Sequence, residues 1–405
     1  MTQSPVPAPV RTLSLPEFVA MLASLTATVA FSIDAMLPAL PEIAAALSPG
    51  DVNRAQLVLT VFVLGMGLGT FFVGPISDAI GRKRTITGGI VIYVVGALAA
   101  AWSHSLEMLL IARFVQGIGA SGPRIVPMAL VRDLYAGREM AKITSFIMML
   151  FILVPALAPT IGGAIAAVFG WRGIFGAFVA FGLLGVLWVI LRQPETLPPE
   201  RRRPFVPGAL LSGAREVLSD RDVRFYTAIL ALGFGQMFSV LSSSQQLYAA
   251  YGVHETFPLW FGAVAILAGT GSVFNARFVM RLGMRRIVRG AYLMQVCLSA
   301  LMLAALLAGF VTPAGGLLAV FAWNVSVFFI AGLTFGNLNA LAMQKMGHLA
   351  GMTASVVTAL STVGAVSIAA PVGLMFDGTA RPVVIATLIC SGLAWALMGR
   401  TDDQI

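Results

Sequence analysis

Two ionisable side chains lie in stretches of the sequence that are otherwise apolar. Asp34, in the segment FSIDAMLPALP, is near the end of an apolar run that begins at about Leu15. Arg113, in the segment RFVQGIGASGPR, lies well inside the run that follows Leu106. A charge in hydrocarbon costs several kcal/mol unless it is protonated, paired or in contact with water. Asp34 is therefore predicted to act through its proton or its charge, and Arg113 to face a water-filled cavity or an acid.

Both residues also allow a simpler interpretation. Counting from Leu15 at ~1.5 Å per residue places Asp34 roughly 9 Å beyond the centre of its span. An acid in that place could instead cap the helix end before Pro38. Arg113 is near enough to Leu106 for its side chain to reach the outer surface.

Two further polar residues of the same run bear on a cavity. Gln116 is three residues after Arg113 and shares its helix face. Arg124 either reaches the cytoplasmic surface or contributes to the cavity.

The elements that position these residues are predicted to be membrane-spanning helices. The chain is 58% hydrophobic and 11% charged, about half the charge of a soluble domain. Each span needs roughly 20 apolar residues, and lipid offers no partner for unpaired backbone groups, so each span should be a helix. An all-α polytopic protein with twelve spans is predicted, at Leu15–Leu37, Ala55–Pro75, Ile86–Trp102, Leu106–Val126, Ile143–Phe169, Ile174–Ile190, Phe225–Tyr248, Leu259–Met280, Ile287–Phe310, Gly316–Met343, Gly351–Met375 and Val383–Met398.

The longest polar stretch divides the spans into two groups of six. It contains PETLPPERRRP, which is too charged and too rich in proline to enter a bilayer. The predicted organisation is a first half at residues 1–192, a cytoplasmic linker at 193–224 and a second half at 225–405.

The two halves resemble each other at one loop. The segment 81–84, Gly-Arg-Lys-Arg, matches the segment 283–286, Gly-Met-Arg-Arg, and the same offset places Asp34 over Gln236. Two pseudo-symmetric halves around a midplane site are typical of a transporter. Alternatively, the loops look alike because both are basic for reasons of orientation alone.

Basic residues concentrate in the loops after even-numbered spans, and the alternate loops hold only Arg54, Arg172 and Arg381. Because basic loops stay in the cytoplasm, both termini are predicted to be cytoplasmic. The net charge of +9 is then an orientation signal, and it does not indicate nucleic-acid binding.

The loop after span 2 reads GPISDAIGRKR, from 74 to 84. Asp78 and Arg82 can pair if helix continues between them, and Gly81 permits a tight turn. The whole pattern resembles the loop signature of the major facilitator superfamily, in which the acid and the arginine hold the halves together. The resemblance implies a gating role for Gly74, Asp78, Gly81, Arg82, Arg84 and, at the end of span 4, Asp133.

Span 5 carries PALAPTIGG, with two prolines that allow a kink and two glycines that allow close helix contact. The residues are Pro155, Pro159, Gly162 and Gly163. The pattern resembles the antiporter motif of drug exporters, except that Ala158 replaces the usual glycine. In span 4, Arg-x-x-Gln-Gly matches the superfamily's proton-linked motif.

The segments DAMLPALP, QGIGASG, VRDLY, NARFVMRLGMRR and AGMTAS look like the Bcr/CflA group of drug:proton antiporters. This resemblance implies multidrug efflux of small hydrophobic or amphipathic compounds by a monomer of the bacterial inner membrane, driven by proton antiport and alternating access. Asp34 and Arg113 would couple the proton. A proton-coupled symporter that takes up a small metabolite is the alternative, and a membrane sensor that does not transport is a third.

No enzyme activity, cofactor or metal is predicted. The chain lacks a Gly-x-x-x-x-Gly-Lys-[Ser/Thr] loop, and its three histidines are scattered, so a proton gradient is the expected energy source. The substrate cavity is expected to use uncharged polar residues, some of which could instead hydrogen-bond neighbouring helices. The candidates are Gln116, Gln236, Ser243, Gln245, Asn324 and Asn339.

Overall fold

The computed structural model describes residues 13–401, apart from the side chains of residues 138, 141, 145 and 148–152. Its described part is a bundle of α-helices. They are α1 (Leu15–Asp34), α2 (Leu40–Leu47), α3 (Leu57–Ile80), α4 (Arg82–Ala101), α5 (Leu106–Leu134), α6 (Gly137–Arg192), α7 (Pro207–Val217), α8 (Arg221–Ala250), α9 (Phe257–Leu282), α10 (Met284–Leu307), α11 (Leu317–Lys345), α12 (Ala350–Leu374) and α13 (Arg381–Met398). Short 3-10 helices cover Leu37–Ala39, Val52–Gln56, Pro199–Arg201 and Gly347–Leu349.

These helices supply twelve membrane crossings. Ten stretches of the described chain are long and apolar enough to span a bilayer. An eleventh comes from α6, whose 56 residues are broken at Gly170, where φ is 68°. The twelfth is α5, in which Arg113 and Arg124 reduce the mean hydropathy. The predicted all-α arrangement of two six-helix halves is therefore confirmed.

The first span runs further than the sequence indicated. The predicted end at Leu37 lies three residues after the end of α1 at Asp34. The apolar helical path then continues through a 3-10 helix and α2 to Leu47. Pro38 and Pro41 occupy the first turns of the 3-10 helix and of α2, where a missing N–H costs nothing.

The two halves pack together at one end of the bundle, which we call the closed end. One apolar cluster there combines Leu37 and Phe62 of the first half with Tyr248 and Phe257 of the second. Two of the other buried clusters each lie within one half. The opposite end carries Arg82, Lys83 and Arg84 at the start of α4, and we call it the basic end.

Polar contacts also join the halves at the closed end. Ser243 Oγ donates to Gln56 Oε1 at 2.9 Å, and Gln56 donates to Gln246. Asn53 Nδ2 donates to the carbonyl oxygens of Leu374 at 3.2 Å and Phe376 at 2.8 Å. Because every partner pair crosses between halves, opening this end requires all these hydrogen bonds to break.

Candidate functional site

Asp34 is the last residue of α1, and its side chain is buried, with 5% exposure. Its carboxylate has no hydrogen-bond or salt-bridge partner among the residues that the structure describes. The backbone N–H of Ala35 bonds to the carbonyls of Phe31 and Ile33 instead. Asp34 therefore does not cap the helix end, which was the simpler interpretation of the sequence.

The glycine pair of span 5 lies against the residues that follow Asp34 in the chain. A β-carbon on Gly162 would be 2.0 Å from the carbonyl oxygen of Ala35, so only glycine fits at this crossing of α6 and α1. Gly163 faces Pro38 and Pro258, with both contacts at 3.7 Å from an added β-carbon. The predicted antiporter motif thus meets α1 of its own half and α9 of the other half next to Asp34.

The proline part of the same motif faces the second half. Pro155 and Pro159 lie inside α6. The carbonyl oxygen of Ala156 would be 2.9 Å from a β-carbon on Gly262 of α9. Ala158, which departs from the motif, is 1% exposed in the cluster that joins the halves. An apolar side chain at this position therefore adds to the closed end.

Arg113 is fully buried, with 0% exposure. Its Nε donates to the carbonyl oxygen of Val58 at 3.1 Å, its Nη1 to Gln116 Oε1 at 2.7 Å and its Nη2 to the carbonyl oxygen of Ser32 at 3.0 Å. The guanidinium carbon also lies 4.2 Å from the centre of the Phe62 ring, close enough for a cation–π contact. Arg113 thus fastens α5 to both α1 and α3.

These contacts differ from what the sequence suggested for Arg113. It does not reach the outer surface, and its hydrogen-bond partners are carbonyl and amide oxygens rather than an acid. Its contact on α1 is Ser32, two residues before Asp34. The hydroxyl of Ser32 lies 2.5 Å from that of Tyr93, so a polar network from α1, α4 and α5 ends about half a turn from Asp34.

Several residues with a predicted gating role assemble at the basic end. Arg82 is 7% exposed, and its Nη1 donates to Asp78 Oδ1 at 2.5 Å and to Ser77 Oγ at 3.0 Å. Its Nε donates to Asp133 Oδ2 at 2.9 Å. Gly81 has a φ of 104°, which the turn between α3 and α4 requires.

Two other residues of the signature lie outside this ion-pair cluster. A β-carbon on Gly74 would be 3.1 Å from Ser355 Oγ of α12, so this glycine lets α3 approach the second half. Arg84 is exposed on the first turn of α4. The structure therefore groups Asp78, Arg82 and Asp133 most closely.

The linker supplies residues that the sequence reasoning missed. Glu195 accepts hydrogen bonds from the backbone N–H groups of Arg82 at 2.9 Å and Lys83 at 3.2 Å. Thr196 Oγ1 donates to Asp133 Oδ2 at 2.8 Å. A carboxylate at the N-terminus of α4 is favourable because the helix dipole is positive there. The sequence held one signal for this contact. Glu195 comes just after span 6, on the same predicted side of the membrane as residues 81–84.

Four of the six residues predicted to line the cavity make hydrogen bonds with different partners. Gln116 binds Arg113, and Gln236 accepts from Ser391 Oγ at 2.6 Å. Asn324 Nδ2 donates to Tyr248 at 3.3 Å, and Asn339 Nδ2 donates to the Phe335 carbonyl at 3.0 Å. None of these four contacts crosses between the halves: the Gln116 contact is in the first half, and the other three are in the second.

The remaining two candidates lie at the closed end. Ser243 holds Gln56 of the other half, as described above. Gln245 lines a cavity of about 360 Å³ together with Pro38, Gly163 and Phe257. This cavity adjoins the contact between the antiporter motif and the second half.

Known proteins resemble this chain along most of its length. A family model described as "Major Facilitator Superfamily" matches residues 22–370. An "Uncharacterized MFS-type transporter YdgK" from Bacillus subtilis (strain 168) is 31% identical over 382 residues, which are 92% of both chains.

Two further relatives carry names that refer to antibiotics. A "Bicyclomycin resistance protein homolog" from Haemophilus influenzae is 30% identical over 92% of this chain and 93% of its own. A "Chloramphenicol resistance protein" from Pseudomonas aeruginosa is 30% identical over 95% of this chain and 90% of its own.

A solved structure shares the fold. The xylose transporter XylE from E. coli, in a partially occluded inward-open conformation, matches with a TM-score of 0.71. The match covers 96% of this chain and all of that chain, at 14% identity. This identity supports a shared fold and nothing about the substrate.

Proposed function

The chain belongs to the major facilitator superfamily of membrane transporters, and from that premise we propose that it exports small hydrophobic or amphipathic compounds from bacteria in exchange for protons. The basic end faces the cytoplasm, as do both termini, and the protein works as a monomer in the inner membrane. The names of its relatives support the substrate class, because two of them refer to antibiotic resistance.

The observation that carries proton coupling is the buried, unpartnered carboxylate of Asp34. An ionised carboxylate without partners is unstable in such a place. Protonation therefore favours the state in which Asp34 is buried, and loss of the proton favours a state in which it meets water. Since Gly162 and Gly163 bring α6 and α9 to the same place, a movement there reaches both halves.

The two ends of the bundle supply opposing gates. The closed end is held by apolar packing and by the Gln56–Ser243 contact. The basic end carries the Asp78–Arg82–Asp133 cluster. Alternating access would exchange the closure of one end for that of the other around a site at midplane.

The energy of one proton is sufficient for useful efflux. Moving one charge through 100 mV provides about 2.3 kcal/mol. That corresponds to an outward concentration ratio of roughly fifty for a neutral compound, before any pH gradient is counted.

Proton flux in proteoliposomes tests the proposal. A susceptibility panel in a strain that lacks its own exporters, beginning with chloramphenicol and ethidium, identifies a compound that the chain protects against. That compound is then added outside proteoliposomes that contain a pH-sensitive dye. Antiport predicts that inward movement of the compound raises the internal pH. A fall in internal pH would instead establish symport, and no change would exclude coupling to protons.

A further inference from the structure

A second arginine lies within the bundle and has no role in the contacts described so far. Arg124 is on α5, three turns after Arg113, and its side chain is partly exposed. Its Nη1 atom is buried and has no hydrogen-bond partner among the described residues. Arg113, by comparison, places all three of its nitrogens on protein acceptors.

The helix face decides what the exposed part of Arg124 can meet. At 3.6 residues per turn, Arg124 lies within about 20° of Arg113 and roughly opposite Ile111. Ile111 is 67% exposed on the outer face of α5. The neighbours of Arg124 on its own face, Gly117 and Ala120, are buried. Arg124 therefore points into the bundle and away from the lipid, so the space that it partly faces is internal.

Protein acids do not neutralise Arg124. Glu17 pairs with Arg192, and Asp78 and Asp133 pair with Arg82. Asp34 terminates α1 towards the closed end. The buried Nη1 of Arg124 therefore has no acidic partner within the described residues of the neighbouring helices. Such a group is costly unless something else supplies the negative charge.

The depth of Arg124 matches that of a transported ligand. It is 18 residues from the start of α5 at Leu106 and 10 from its end at Leu134, or roughly 27 and 15 Å along the axis. Arg124 therefore lies about 6 Å from the midpoint of α5, towards the basic end. From there a long side chain can reach the midplane, where transporters of this architecture bind their substrates. A planar guanidinium is suited to two parallel hydrogen bonds with a carboxylate, phosphate or sulfonate.

We propose that Arg124 binds an anionic group of the transported compound, so that the preferred substrates are organic anions or zwitterions. The inference rests on the proposed transport function but not on its coupling to protons. Asp34 and Arg124 would then act separately, the first on the proton and the second on the substrate.

Binding to the purified full-length transporter tests this inference without a proton gradient. Aromatic acids are compared with their amides, using 1-naphthoate with 1-naphthamide and salicylate with salicylamide, by their effect on the thermal unfolding midpoint. We expect the acids to stabilise the wild type at concentrations at least ten times lower than the amides do. Arg124→Gln should lose this preference, Arg124→Lys should keep part of it, and Arg215→Gln, which removes an exposed linker arginine, should keep all of it.

Three outcomes would overturn the inference. They are equal stabilisation by acid and amide, no stabilisation by any acid, and an acid preference that survives in Arg124→Gln. Proton antiport of ethidium by the wild type, together with any of these outcomes, would leave the proposed function intact and reject only the anionic substrate. If the acid preference depends on Arg124 but transport moves no protons, the anionic substrate is supported and the proposed proton antiport is rejected.

Discussion

Gly162 of α6 lies directly against the backbone of Ala35, the residue that follows Asp34. A β-carbon on Gly162 would be 2.0 Å from the Ala35 carbonyl oxygen, well inside van der Waals contact. The antiporter-like segment and the proposed proton site are therefore parts of one helix crossing. A movement of α6 relative to α1 must change the surroundings of Asp34.

The Gly162→Ala substitution should separate the two helices locally. We expect a loss of roughly 1–3 kcal/mol in stability, as for overpacking in a core, and loss of proton-driven transport. The thermal unfolding midpoint and export from everted vesicles measure the two effects. Gly176→Ala is the matched control, because an added β-carbon there meets no atom within 4 Å. Equal behaviour of the two variants would contradict the importance of this crossing.

Gln56 and Ser243 should report the state of the closed end. With Cys297 and Cys390 replaced by serine, we expect a short bifunctional thiol reagent to link Gln56→Cys to Ser243→Cys and to stop transport. The reason is that Ser243 Oγ and Gln56 Oε1 are 2.9 Å apart across the two halves. Reduction of the link should restore activity, and each single-cysteine variant should be unaffected by the reagent. Full transport by the linked protein would show that this end need not open.

Glu195 should set the rate of the conformational change at the basic end. Its carboxylate accepts the N–H groups of Arg82 and Lys83, which hold the gating arginine in place. We expect Glu195→Ala to lower the maximal export rate several-fold with little change in the apparent KM. Glu200→Ala, which removes an exposed acid of the same linker, serves as the control. A raised KM at an unchanged rate would assign Glu195 to substrate binding instead.

Arg113 should contribute more to stability than its charge alone explains. Lysine keeps the charge but cannot reach the acceptors on Val58, Gln116 and Ser32 together. We expect Arg113→Lys to lose roughly 2–5 kcal/mol, because buried acceptors are left unpaired. Thermal unfolding measures the loss, and Arg84→Lys, at an exposed position, is the reference. An unfolding midpoint for Arg113→Lys that equals that of Arg84→Lys would be inconsistent with this role.

The sequence predicted the membrane fold well, because hydropathy depends on the bilayer rather than on tertiary contacts. Asp78 and Arg82 were also predictable, since a spacing of four residues on a helix nearly determines their contact. The short helices after Pro38 were not predicted, because a proline at the start of a new helical turn looks in sequence like the end of a span.

Other parts of the site depend on contacts that no local pattern encodes. Arg113 was unusual for its charge, yet two of its three hydrogen-bond partners are backbone carbonyls, which every residue has. The Gln56–Ser243 contact joins residues 187 positions apart, and each looked like an ordinary polar residue. Glu195 lay in a linker that was interpreted only as a divider between the halves.

Asp34→Asn provides the most direct test of proton coupling. In proteoliposomes, exchange of labelled for unlabelled substrate without a gradient requires the alternating movement but no net proton transfer. We predict that Asp34→Asn exchanges substrate at a rate close to that of the wild type, but neither accumulates it in response to a proton gradient nor changes the internal pH. Asp34→Glu should retain some coupling. Proton-driven accumulation by Asp34→Asn at the wild-type level would contradict the assignment of Asp34 as the proton carrier.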